Sequence, residues 1–585
     1  MTHARWDSLK TWSAFRVSAV ASERLLGVSL FLLGMLTRLP FTSQILYHWD
    51  SVNFALALDR FDIASDQPHV PGYILYVALG QVVNALFRDP QTTWVAISLI
   101  SSGLAVMAIY LLGRDLFSRE TGLIAALFLT ASPLFWFYGE VALPHSLDTF
   151  AVIGVVWLLY RLWKGDARFA IPAAIAIAVA GGLRPQTQVF LLPLALWASW
   201  RLGWRKLGPA LAAMIVVDVL WVVPLVMSVG GIGRYLEVFN AFSQRFNEST
   251  TIFTGGLAGL ARNLTKLGRY TLYGWGAAIV PAVLYGFRYL RKTALLDQME
   301  KSNRKGRNPA NSMRGRERKV LENLGVLCVR CGSIPAKAGR VLAPSWLGGE
   351  IAFWLWWIAP AAAYYTFIHM GQQGLVFVYL PALLLISAES LRRLTVGRKA
   401  MLWRVAGGLA ALGAIIFVAL PTYPFGGDRF KLLTWDTIRA QDRLYQERVV
   451  TVRHDFPAGR AILITSQWRH AEYYFADYPL VRFDIIAKWE AGEGQAAIDR
   501  AGDERLAASD LLGHPLAQGE TAYLIVLDDE LLPFLGSAST ARAYASAGST
   551  PITYLEIHPG DFITIDADSF GVMTATGYAA SALLY

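Results

Sequence analysis

Apolar runs of membrane-spanning length constrain this chain more than any other feature. A spanning helix needs ~20 such residues, and eleven stretches approach that length: 24–41, 92–113, 121–138, 146–163, 168–183, 187–201, 208–229, 270–290, 347–368, 374–391 and 401–420. Lipid offers backbone groups no partner, so such segments must be helical. Charged residues are only 16% of the 585, against roughly 25% in soluble domains, which excludes a purely soluble fold. Two cysteines exclude a disulfide framework.

The net charge of +10 suggests a nucleic-acid partner until it is located. Between Arg291 and Arg340 there are 13 Lys/Arg against 4 Asp/Glu, so one loop (291–346) holds most of the excess and nucleic acid is excluded as a partner. That loop is suited to enforcing topology or touching anionic lipid. A twelfth apolar run, Tyr73 to Phe87, tests the count. If it also spanned, the basic linkers 114–119 and 161–168 would face outward, against the rule that Lys and Arg stay cytoplasmic. Left out, it joins a long first external loop, 42–91, and every basic linker becomes cytoplasmic. The N-terminus is then cytoplasmic as well. No small-residue cleavage site follows the first apolar run, so an uncleaved first span is expected.

After Pro421 the character changes. Residues 421–585 carry 22 Asp/Glu and 13 Lys/Arg, with Gly and Pro between shorter runs. Strand-like segments at 461–465, 522–527 and 562–565 alternate with helical ones at 468–475 and 498–511, which predicts a soluble α/β domain outside the cytoplasm. The expected division is a transmembrane domain over 1–420 and this domain over 421–585.

Ionisable groups near membrane depth are costly and point to function. The loop from Trp49 to Tyr73 holds Asp50, Asp59, Asp62, Asp66 and His69. Helix capping is the plain explanation for Asp50, solvation for the other three acids, and a turn at Pro71-Gly72 for His69. A second loop, Tyr138 to Asp148, contributes Glu140, His145 and Asp148. Arg184 follows a short span, where snorkelling would also account for it, and His369 and Gln372 lie in I-H-M-G-Q-Q-G. Cys328 and Cys331 form one C-x-x-C, too few ligands for structural zinc. The cluster W-R-H-A-E-Y-Y (468–474) reads either as a carbohydrate grip or as an ordinary helix face. No Gly-rich phosphate cradle is present, which disfavours a nucleotide-sugar donor.

Asp50, followed some twenty residues later by His69-Val70-Pro71-Gly72-Tyr73 and an apolar run, resembles the GT-C superfamily of membrane glycosyltransferases. The resemblance is to the protein O-mannosyltransferase and aminoarabinose transferase branch, and the family's acidic pair matches only at its first position, Asp50-Ser51. It implies a bundle of about eleven transmembrane helices that binds a polyprenyl-phosphate sugar at its external face. By the same resemblance Asp50 is the catalytic base and Glu140 or Asp148 the second acid, with Glu140 favoured. His69, Tyr73, His145, Asp148, Arg184, His369 and Gln372 are expected to bind substrate.

The chemistry agrees: a carboxylate takes the acceptor's proton, and cations meet the charge growing on the departing phosphate, with inversion in a single displacement. The implied partners are the lipid-linked donor, membrane lipid, and a glycolipid, polysaccharide or protein acceptor. No cofactor is assigned, and a divalent cation is left open. The expected location is the inner, cytoplasmic membrane. A transporter or flippase for the same lipid, or a non-catalytic scaffold, is the competing reading. The gathering of polar groups at one face, with Asp218 the main mid-span acid, favours the enzyme over a transporter.

Overall fold

The computed structural model describes residues 22–305, 349–426, 431–484, 497–498, 504–536, 540–545 and 551–565. Cys328, Cys331 and most of the basic loop lie outside the described residues. The helices of the apolar part are α1 (Ser22–Phe41), α2 (Trp49–Asp59), α3 (Ile74–Phe87), α4 (Pro90–Leu116), α5 (Arg119–Ala131), α6 (Pro133–Tyr138), α7 (His145–Trp163) and α8 (Ala170–Leu183). They continue with α9 (Pro185–Ser199), α10 (Trp204–Ser228), α11 (Ile232–Thr250), α12 (Ile252–Trp275), α13 (Ile279–Lys305), α14 (Glu350–Phe367), α15 (Leu380–Leu394) and α16 (Lys399–Ala419).

Five of these, α1, α4, α7, α10 and α16, are long and apolar enough by themselves to cross a membrane. The other expected spans coincide with shorter or broken helices, and the breaks have local causes. In 121–138, Pro133 cannot donate a helix hydrogen bond, so α5 stops and Ser132 caps α6 by accepting from Phe135 N. In 270–290 the chain turns at Gly276, whose φ of 54° suits glycine alone. The 374–391 segment begins as a 3-10 turn, Gln373–Val378, before α15. The apolar run 73–87 forms α3, whose 14 residues reach only ~21 Å at 1.5 Å per residue. Helix α11 and residues 252–269 of α12 fall outside the expected spans, because their apolar residues are interleaved with charged ones.

Close helix contacts rest on small residues, as bilayer packing requires. A methyl group built on Gly113 of α4 would lie 2.8 Å from Cα of Gly122 on α5. The aromatic stack of Phe54, Tyr76 and Trp94, with centroids 4.9 and 4.4 Å apart, ties α2 and α3 to α4. Phe54 is fully buried, a burial that contributes roughly 2–3 kcal/mol to fixing α2, which carries Asp50.

Among the described residues the remaining part contains α17 (Trp435–Asp455), α18 (Trp468–Tyr474) and α19 (Ala508–Leu512) with eight strands: β1 (Ala461–Thr465), β2 (Leu480–Asp484), β3 (Ala497–Ile498), β4 (Glu504–Ala507), β5 (Ala522–Val526), β6 (Arg542–Tyr544), β7 (Ile552–Ile557) and β8 (Phe562–Ile565). Six form a sheet in the order β3-β2-β1-β5-β7-β6, and β4 pairs with β8. Central β1 is parallel to both β2 and β5 and buried along its whole length, which explains its unbroken apolar run. The expected strands at 461–465, 522–527 and 562–565 and the helix at 468–475 are present. The expected helix at 498–511 is not: its middle forms β4, held by antiparallel pairing of Glu504–Ala507 with Phe562–Ile565, and among the described residues there only Ala508–Leu512 is helical. Long-range pairing there overrides local helix preference.

Candidate active site

Asp50 enters the site because another residue caps its helix. His48 Nδ1 accepts the Asp50 backbone N–H at 3.0 Å, and Ser51 Oγ accepts from His48 N at 3.2 Å. The Asp50 carboxylate is therefore not spent as a cap and turns inward, in the first turn of α2, where the helix dipole favours an anion. His69 Nδ1 lies 3.4 Å and His48 Nδ1 3.6 Å from its oxygens, and Gln372 Nε2 donates to Oδ2. Burial pushes this carboxyl up, but the two imidazoles and the Gln372 bond outweigh it and hold it below the usual aspartate value. Burial lowers His48, consistent with its unprotonated Nδ1 accepting a backbone bond.

Gln372 links Asp50 to the second loop. Its Oε1 is 2.8 Å from His145 Nε2, and since an amide oxygen only accepts, His145 is the donor. His145 opens α7 after Pro144, with Tyr138 edge-on at 4.5 Å. Gly374 lets the ring approach, because a Cβ there would sit 2.6 Å from His145 Cγ.

A buried ion pair lies next to this network. Pro185 disfavours helix at the residue before it, so Arg184 is extended (φ −155°, ψ 102°), ending α8 and starting α9. That break turns its guanidinium into the bundle, where Nη1 donates to Asp148 Oδ2 at 2.9 Å, both side chains 4% exposed or less. Thr187, three residues on, donates to the other Asp148 oxygen. Arg184 Nε makes no hydrogen bond, although buried donors are usually satisfied. Tyr73 lies within electrostatic reach of Asp50, Arg184 and Asp148, as does His145 of Asp50 and Arg184, so these groups form one neighbourhood.

Glu140 and His369 are placed elsewhere. Glu140 is fully buried, with Arg38 and Trp136 the polar groups beside it. Burial drives its carboxyl well above the ordinary value against the pull of Arg38. Its backbone carbonyl reaches the first loop, accepting from Ser43 N at 3.0 Å. His369 sits against Arg262 and Lys266 of α12, and burial together with those cations lowers its pKa to about 4. The neighbouring Met370 N donates to Asn263 Oδ1 at 3.2 Å.

Several neighbours escaped the sequence reading. Thr187 carried a signal, since it lies one turn from Arg184 in R-P-Q-T. Phe242 of α11, stacked on His69 at 5.9 Å, carried none. Among the described residues no group of three or more His, Cys, Asp or Glu side chains is placed to hold a metal ion.

The chain thus combines a helical bundle containing membrane-length apolar helices with a strand-containing α/β part, and sets the Asp50 carboxylate in the same neighbourhood as the buried Arg184–Asp148 pair. Residues 66–228 match the family described as dolichyl-phosphate-mannose-protein mannosyltransferase. That stretch contains His69, Tyr73, Glu140, His145, Asp148 and Arg184. No curated protein gives a match. Among solved structures the chain is similar to ArnT from Cupriavidus metallidurans bound to undecaprenyl phosphate, at 12% identity and a TM-score of 0.48, over 92% of this chain and 98% of that one. It is also similar to the apo oligosaccharyltransferase of Archaeoglobus fulgidus, at 12% identity and a TM-score of 0.43, over 94% of this chain and 77% of that one.

Proposed function

We propose that the protein transfers a sugar from a polyprenyl-phosphate donor to an acceptor hydroxyl, with inversion, at the outer face of the cytoplasmic membrane. The observation that carries the reading is the nearness of a largely shielded carboxylate, Asp50, to a buried guanidinium, Arg184, that keeps one N–H without an acceptor. The matched family's description names a dolichyl-phosphate-linked mannose, a donor of this chemistry.

In this reading the acceptor oxygen attacks the anomeric carbon as the bond to the phosphate oxygen breaks. The acceptor's proton passes to Asp50, and the electron pair of the broken bond leaves on the phosphate. Arg184, oriented by Asp148 and Thr187, stabilises that charge. A carboxylate held below its ordinary pKa is a weak base, so it takes the proton late, when the acceptor oxygen is already bonding. His69 and Gln372 orient Asp50, Tyr73 lines the space between base and cation, and His145 fixes the Gln372 amide. Glu140, whose carboxyl is set against Arg38, braces the second loop, and Asp148, paired with Arg184, rather than Glu140 is the acid that serves the reaction. Arg262 and Lys266, beside the neutral imidazole of His369, offer a cationic wall toward the lipid-linked donor.

The test is reconstitution into proteoliposomes supplied in turn with polyprenyl-phosphate sugars and with nucleotide sugars. Transfer from the lipid-linked donor alone is expected. Transfer from a nucleotide sugar, or translocation of the lipid without transfer, overturns the reading.

A further inference from the structure

Residues 43–46, shortly before His48, make most of their polar contacts with the soluble part of the chain. Asp442 of α17 accepts from Ser43 Oγ at 2.8 Å, from Gln44 N at 2.9 Å and from Ile45 N at 3.3 Å. Tyr474 of α18 accepts the Leu46 N–H at 2.8 Å, and His470 Nε2 lies 3.0 Å from Leu46 O. That oxygen only accepts, so the imidazole donates. Further along, Trp468 packs edge-on to Trp49 at 4.8 Å, and Arg469 Nη2 donates to Ser65 O at 2.7 Å. Three successive backbone N–H groups, together with one carbonyl, thus end on side chains roughly 400 to 430 positions away in sequence. No local turn satisfies Gln44, Ile45 and Leu46, and buried backbone groups need partners.

Resting on the function proposed above, we propose that Asp442, His470 and Tyr474 are positioning residues: they clamp the backbone of residues 43–46 and so set where α2 begins and where the Asp50 carboxylate points. The lever is short, since Leu46 precedes Asp50 by four residues and the capping residue His48 lies between. Asp442 is 8% exposed and His470 1%, so both groups are committed to this contact. The W-R-H-A-E-Y-Y cluster is then a mechanical coupling between the soluble part and the catalytic loop, and its side chains are occupied by protein partners rather than by acceptor sugar. A reacting geometry that shifts by ~1 Å can lose ~100-fold in rate, so a distant clamp has kinetic weight.

The test uses the full chain in proteoliposomes with Asp442→Asn and Tyr474→Phe. Asn keeps the shape but turns one oxygen into a donor facing backbone donors, and Phe removes only the hydroxyl. Each is expected to lower kcat about tenfold with the KM for a polyprenyl-phosphate sugar unchanged, and to speed amide hydrogen exchange across residues 43–51 while α4 and α7 keep their protection. Arg542→Gln, which removes the exposed pair with Glu556 on β7, serves as control and leaves both readouts unchanged. Unchanged exchange at 43–51, unchanged kcat with faster exchange, or loss of protection throughout the bundle would each overturn the clamp. Hydrogen exchange needs no substrate, so a wild-type protein that transfers no sugar sinks the proposed function while leaving the clamp to be decided on its own.

Discussion

Neutralising Arg184 and Asp148 singly and together separates a structural ion pair from a catalytic cation. The two side chains are 4% and 2% exposed and 2.9 Å apart. Removing one partner of such a pair strands a charge and costs ~3–5 kcal/mol of stability, whereas replacing both is close to neutral. A preorganised group aimed at developing charge contributes ~100- to 1,000-fold in kcat. Arg184→Gln and Asp148→Asn are therefore each expected to unfold at markedly lower temperature. The double variant Arg184→Gln/Asp148→Asn recovers most of that stability and remains at least ~100-fold slower than wild type. Thermal unfolding followed by tryptophan fluorescence gives the first readout, and sugar transfer in proteoliposomes the second. Recovery of transfer along with stability in the double variant would refute the role given to Arg184.

Gln372→Glu sets a second carboxylate against Asp50, and like charges in contact raise one pKa strongly; the acid limb of kcat is expected to move up by at least ~1 pH unit, measured as kcat against pH. Gly374→Ala places a Cβ within 2.9 Å of three His145 ring atoms, so the ring must leave Gln372; a stability loss of ~1–3 kcal/mol and reduced transfer are expected, and wild-type thermal unfolding would contradict this. Burial lowers the His470 pKa from 6.5 to about 4, so its contribution is complete above pH 6.5 and is lost as pH falls toward 4, where the unfolded state takes up the proton first. Unfolding temperature should drop across that window in wild type and less in His470→Gln.

The helical bundle was legible because every span repeats an apolar pattern that lipid enforces. Helix α11 and residues 252–269 of α12 were not, since their charged residues interrupt the runs and only packing, such as Phe242 on His69, reveals their inward faces. Asp50, His69 and Tyr73 were legible together through the resemblance to a GT-C motif, since the residues alone read equally as a helix cap and a turn. The choice between Glu140 and Asp148 was open in sequence, because both flank His145 in one loop. Burial beside Arg38 in one case and pairing with Arg184 in the other depend on tertiary partners roughly 100 and 36 positions away, beyond any local pattern. The clamp on residues 43–46 was likewise invisible, since backbone hydrogen bonds to distant side chains leave no periodicity.

The central claim is that Asp50 takes the acceptor's proton. Asn at this position keeps the shape and the bond from Gln372 is replaced by an amide contact, but the side chain is no longer a base. Single-turnover transfer by Asp50→Asn, measured with donor saturating and donor binding measured separately, is expected to fall ~100- to 10,000-fold with binding retained. Transfer at the wild-type rate would contradict the account.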